Sequence, residues 1–259
     1  MATASPGMTL SEMSCKITNS FAPGAPFAAV SFRGTTFESP VARTMGWRKS
    51  DMKSILFAVL LACCGTAIAA PTILVVGDSL SSAYGIPQSA GWVALLGERL
   101  KQRKSNYTVV NASISGETSA GGAARIGAVL AKTQPAIVIV ELGSNDGLRG
   151  LPVAQMKANL TAIVQAAKRQ GARVILVGMQ LPPNYGAQYV NAFRAAFRDL
   201  ARDERVPLVP LLFEGVADTP EMVQPDNLHP TAAAQPIMME NVWRKLAAMV
   251  IAAPKSVPK

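Results

Sequence analysis

Thr72-Ile73-Leu74-Val75-Val76-Gly77-Asp78-Ser79-Leu80 is the stretch on which the fold turns. Thr72–Val76 is apolar or β-branched throughout, with no polar alternation, so it predicts a strand buried on both faces. Gly77-Asp78-Ser79 then ends it with turn-forming residues. Similar runs recur at Tyr107–Ala112, Ala136–Glu141, Arg173–Val177 and Pro207–Leu212. Helical stretches lie between them. Trp92–Arg103 carries Val93, Leu96 and Leu100 on one face, and Ala123–Lys132 is short. Pro152–Gln170 opens on a proline and stops at Gly171, and Tyr189–Glu204 and Thr231–Val250 complete the set. Such alternation predicts an α/β, doubly wound, parallel five-stranded sheet with helices on both faces. The active site of such a sheet forms at the carboxyl ends of its strands.

The chain has 259 residues, and its first 70 do not share this pattern. Residues 1–44 are rich in Ser, Thr, Ala and Pro and read as a disordered leader or an over-extended gene start. Residues 45–70 read as a secretory signal peptide: Arg48, Lys49 and Lys53 precede the apolar run Ile55–Cys64, and Ala67-Ile68-Ala69 is a small-residue cleavage pattern. That leaves residues 71–259 as the folded domain and predicts a periplasmic or secreted protein. Leu60-Leu61-Ala62-Cys63 loosely resembles a lipoprotein cleavage box, which leaves a lipid anchor as the lesser alternative.

All three cysteines (Cys15, Cys63, Cys64) precede the expected cleavage point, so the domain carries neither thiol nor disulfide. Residues 1–70 hold six Lys/Arg against three Asp/Glu, so of the net +9 the domain keeps +6. Its basic residues are scattered over the helical segments. Weak membrane-surface association is compatible with that distribution. Nucleic-acid binding is not expected, because no aromatic-basic interleaving accompanies the charge.

His229 is the only histidine of the chain. It sits in Asp226-Asn227-Leu228-His229-Pro230, before the last helix, and imidazole is the side chain best suited to moving a proton near neutrality. Ser79, on the turn after the first strand, is the candidate nucleophile, with His229 as its base. Asp226, three residues before His229, is placed to fix the tautomer and stabilise the imidazolium. Three donors stand ready for an oxyanion: the Ser79 N–H, the Gly116 N–H and the Asn145 side-chain amide. Each feature alone has a plain reading as a turn, a helix cap or a loop. Together, at strand ends, they point to acyl transfer.

These blocks carry a resemblance. Gly77-Asp78-Ser79-Leu80, Gly116 within Asn111–Thr118, Asn145 within Gly143–Asp146 and Asp226-x-x-His229 resemble the four blocks of the SGNH (GDSL) hydrolases. Val140–Gly150 and Leu181–Gly186 are similar to the thioesterase I/protease I/lysophospholipase branch, also called arylesterases. The resemblance runs from about residue 72 to about 250. It implies a flavodoxin-like three-layer sandwich, Ser79, Asp226 and His229 as catalytic residues, and Ser79, Gly116 and Asn145 as the oxyanion hole. It also implies hydrolysis of aryl esters, long-chain acyl-CoA thioesters and lysophospholipids by a monomeric enzyme without metal or cofactor. Ser144 stands where that branch often has a second Gly, with little effect expected on Asn145. Leu181 and Pro182 are candidates for bordering an acyl groove.

The rival readings lack their motifs. One His and no Cys in the domain leave a zinc site with carboxylates almost alone. Neither a Gly-x-Gly-x-x-Gly nor a P-loop follows the first strand, and no Gly-x-Ser-x-Gly pentapeptide occurs. A carbohydrate O-acetyl esterase built on the same four blocks remains the enzymatic alternative, and a binding domain that keeps the fold the non-enzymatic one.

Overall fold

A computed structural model describes residues 70–216 and 219–251. The expected leader (1–44), the expected signal peptide (45–70, apart from Ala70) and Cys63 lie outside the described residues.

Five strands form one parallel sheet: β1 (Thr72–Gly77), β2 (Thr108–Asn111), β3 (Ile137–Glu141), β4 (Arg173–Val177) and β5 (Leu208–Val209), in the order β2-β1-β3-β4-β5. Among the described residues six α-helices accompany them: α1 (Trp92–Gln102), α2 (Ser119–Thr133), α3 (Ser144–Leu148), α4 (Val153–Arg169), α5 (Ala187–Asp203) and α6 (Gln235–Ile251). The chain moves outward from β1 to β2, returns across β1 to β3, and continues to β4 and β5. Right-handed crossovers then place α1 on one face and α2, α4 and α5, which connect the strands after the reversal, on the other. The packing agrees: α1 lies against α6, while α2, α4 and α5 pack side by side.

The continuous apolar runs form the interior. Ile73–Val76 and Ile137–Val140 have no solvent exposure, and β4 is buried from Val174 onward. The helices cover them with stripes at helical spacing, such as Met156, Leu160, Ile163, Val164 and Ala167 on α4. Burial on both faces does not extend to β2, whose Thr108, Val110 and Asn111 are exposed because it is the outer strand beyond β1.

Other departures have local causes. The fifth strand shrinks from Pro207–Leu212 to two residues, because Pro207 and Pro210 bracket it and neither has an N–H for the ladder. α2 starts four residues before the expected Ala123, where the Thr118 hydroxyl accepts the Gly121 N–H as an N-cap and outweighs two helix-weakening glycines. The last helix begins at Gln235 rather than Thr231, after a short 3-10 turn at Ala232–Ala234. Among the described residues no helix is long and apolar enough to cross a membrane.

Candidate active site

A cleft of about 790 Å³ opens at the carboxyl ends of the strands. Ser79 enters it after β1, Ser115 and Gly116 after β2, and Ser144 and Asn145 after β3. Met179–Pro183 enter after β4, Leu211 and Phe213–Gly215 after β5, and Val223 and Asn227–His229 from the loop before α6. The four strand-end blocks and the His229 loop that the sequence singled out therefore share one concavity, joined by Leu211 and Phe213–Gly215 after β5.

Strand register builds the Ser79 turn. Gly77 pairs with Glu141 across β1 and β3, so the Glu141 carboxyl stands directly beneath the turn. Glu141 Oε2 accepts the Asp78 N–H at 3.3 Å and the Ser81 hydroxyl at 2.6 Å, one bond on each side of Ser79. A Cβ at position 77 would meet Glu141 Oε2 at 2.6 Å and Ser81 Oγ at 2.7 Å, so only glycine fits. Asp78 is equally buried: its Oδ1 accepts the Leu80 N–H at 3.0 Å and its Oδ2 accepts the Asn145 amide at 3.0 Å. Burial pushes the Asp78 carboxyl up to about 6, against the pull of these donors. Burial, and then the Asp78 charge beside it, push Glu141 well above the usual carboxylate range.

The second half is a loop. Asp226 Oδ1 accepts the backbone N–H groups of Leu228 and His229, both at 3.0 Å, an Asx turn that Asn227 completes in the left-handed region with φ 56°. Asp226 Oδ2 lies 2.7 Å from His229 Nδ1. These bonds, first the His229 N–H and then its ring, draw the Asp226 carboxyl down to about 2. The ionised carboxylate only accepts, so the ring proton sits on Nδ1 and leaves Nε2 as an acceptor. Nε2 is 3.0 Å from Ser79 Oγ. Ser79, His229 and Asp226 thus stand in one hydrogen-bonded line, and the Tyr84 ring lies against the imidazole with centroids 4.5 Å apart.

Gly116 and Asn145 face the same cleft as Ser79. Gly116 has φ 78°, and an added Cβ would meet nothing within 4 Å, so backbone conformation is what calls for glycine there. The Asn145 amide is already engaged: one hydrogen faces Asp78 Oδ2 at 3.0 Å and the other the Glu117 carbonyl at 3.1 Å. Neither bond involves Ser144, a buried residue of α3. Leu181 is a buried wall of the cleft and Pro182 its exposed rim.

Sequence reasoning passed over Glu141, Glu117 and Tyr84. A signal existed for Glu141, a carboxylate closing a run that is otherwise Ile, Val and Ala. None marked the others, which act through backbone carbonyls or across the cleft. Among the described residues no group of three or more His, Cys, Asp or Glu side chains is arranged to hold a metal ion. In chemical terms, the arrangement offers a hydroxyl whose proton has a nearby acceptor, an imidazole with a fixed tautomer, and donors facing a largely apolar cleft.

Residues 75–236 match the model of the GDSL-like lipase/acylhydrolase family. Esterase TesA of Pseudomonas aeruginosa is 53% identical over 178 residues, covering 69% of this chain and 89% of that protein. Thioesterase 1/protease 1/lysophospholipase L1 of Escherichia coli K12 is 44% identical over 195 residues, covering 75% of this chain and 91% of that protein. A crystal structure of TesA superposes with a TM-score of 0.67 at 52% identity, covering 69% of this chain and 99% of that one.

Proposed function

The chain belongs to the GDSL-like lipase/acylhydrolase family, and on that premise we propose that it is a secreted serine esterase and thioesterase cleaving acyl esters and thioesters. One observation carries the reading: Ser79, His229 and Asp226 form a continuous hydrogen-bonded line at the mouth of a cleft with apolar walls. The substrates are aryl esters, long-chain acyl-CoA thioesters and lysophospholipids.

Ser79 Oγ attacks the acyl carbonyl while its proton passes to His229 Nε2, and Asp226 holds the resulting imidazolium. The carbonyl oxygen becomes an oxyanion facing the Ser79 N–H, the Gly116 N–H and the Asn145 amide. Because both Asn145 hydrogens face acceptors at rest, one is shared with the oxyanion as the negative charge develops. Collapse breaks the bond to the alcohol or thiol, which leaves with the proton from His229, and the acyl group stays on Ser79. Water then attacks with His229 as base and releases the carboxylic acid.

Met179, Leu181, Leu211, Phe213 and Val223 give the cleft the surface of an acyl-chain site. Its volume falls in the range of about 300–1,000 Å³ usual for small-molecule sites. At about 0.8 kcal/mol per buried methylene, such a wall distinguishes chains by length. This favours an acyl hydrolase over a carbohydrate deacetylase, which needs an open polar site. Export is proposed from the 45–70 signal, and the domain is proposed to act as a monomer.

The test is turnover of p-nitrophenyl esters from acetyl to palmitoyl, beside palmitoyl-CoA, with Ser79→Ala as control. Ser79-dependent turnover of medium or long chains and of the thioester is expected. Turnover confined to the acetyl ester would shift the reading to a deacetylase, and none at all to a binding domain.

A further inference from the structure

Ser79 and His229 must meet although 150 positions separate them. The Ser79 turn hangs from two central strands. The His229 loop belongs to no strand or helix, and its only ladder-like pairing is an isolated antiparallel bridge between Val223 and Pro230. Something else has to set that loop at the right height over the sheet.

Gln224 makes the needed contacts. Its backbone N–H donates to the His229 carbonyl at 2.7 Å. Its amide Nε2 donates to the Pro230 carbonyl at 2.9 Å and to the Tyr84 carbonyl at 2.9 Å. Tyr84 lies on the segment leaving the Ser79 turn, and its own N–H donates to the Ser79 carbonyl at 3.2 Å. The bonds close a ring: Ser79 to Tyr84, Tyr84 to the Gln224 amide, the Gln224 backbone to His229, and His229 Nε2 back to Ser79 Oγ.

We propose that Gln224 is a positioning residue that fixes His229 against Ser79 by joining the two loops through its amide group. The inference rests on the serine-hydrolase reading above. Only a primary amide at this reach supplies two hydrogens from one nitrogen to two carbonyls. A glutamate would turn a carboxylate toward both, and a methionine would fill the space with no donor. A displacement of about 1 Å at a reacting pair costs roughly 100-fold in rate.

The full chain is compared with Gln224→Glu, Gln224→Met and Ser79→Ala on p-nitrophenyl butyrate. Both Gln224 variants are expected to lose about 10- to 100-fold in kcat with KM within about threefold, at temperatures where circular dichroism shows them folded. Because His229 is the only imidazole in the chain, its Nδ1–H proton resonance is unambiguous, and it should shift or broaden in both variants. A kcat within twofold of the parent with an unmoved resonance overturns the proposal, as does a loss of rate that tracks the unfolded fraction. If Ser79→Ala keeps the parental rate, the serine-hydrolase reading itself fails. If Ser79→Ala is inactive while the Gln224 variants are fully active, only the Gln224 assignment fails.

Discussion

Asp78 and Asp226 stand on opposite sides of Ser79 and have opposite environments. Asp78 has no solvent exposure, shares its dry site with Glu141, and has its carboxyl pushed up to about 6. The Asp226 side chain is 42% exposed, yet two backbone N–H groups and the His229 ring bring it down to about 2. Burial without a compensating cation raises a carboxylate, whereas donors aimed at it lower one even in water. Hence the exposed aspartate is the dependable anion beside the imidazole. The buried pair serves as architecture, one member holding Asn145 and the other the Ser79 turn.

Substitutions at the junction of the two halves have the largest expected effect. Ser79→Ala and His229→Ala should each lower kcat by roughly 10⁴-fold or more, measured on one ester by steady-state kinetics. Asp226→Asn probes the exposed half, and a fall of about 10³- to 10⁴-fold is expected as the tautomer control is lost. A smaller loss than from Asp78→Asn would reverse the assignment of the two aspartates. Asn145→Ala probes the buried half and should cost about 10²- to 10³-fold in kcat, with KM changed less. Leu211→Trp narrows the cleft without touching either aspartate. It should lower kcat/KM for palmitoyl esters by about tenfold relative to acetyl, a difference of about 1.4 kcal/mol. Equal losses on both chain lengths would remove Leu211 from the acyl wall.

The smallest effect is on stability, and its sign separates the two halves. Asp78 and Glu141 titrate higher in the fold than in the unfolded chain, so folding takes up protons between the ordinary carboxylate range and pH 6 or above. Stability from this pair therefore falls as pH rises through that window. Asp226 titrates lower in the fold, so its contribution is present above about pH 4 and is lost as pH falls toward 2. Asp78→Asn should flatten the gain in Tm between pH 7.5 and 5.5 while leaving the loss below pH 4 in place. An unchanged slope between pH 7.5 and 5.5 would show that Asp78 does not titrate there.

The fold was legible because buried parallel strands leave a plain mark: Ile73–Val76 and Ile137–Val140 have no polar alternation, and Pro152 and Gly171 bracket a helical stretch. Legibility fell where the chain broke its own pattern. β2 reads like its neighbours, but its exposure follows from its position at the edge, which no local pattern encodes. Ser79, Asp226 and His229, which the structure brings into one hydrogen-bonded line, could be singled out because each belongs to a short block. Glu141 stood out only as a carboxylate in an apolar run, and Gln224 not at all, because the contacts to Ser81 and Tyr84 that give them a place span 60 and 140 positions and belong to no local block.

The fit of Gly77 against Glu141 has a consequence for descent. A methyl group at 77 would collide with the carboxyl of 141, and a shorter residue at 141 would leave the Asp78 and Ser81 donors without their acceptor. Each position therefore constrains what the other can become, and single steps away from the pair lead through a damaged intermediate. Gly77 and Glu141 are expected to be inherited together, and in a randomised library the survivors at one position should be dictated by the residue at the other.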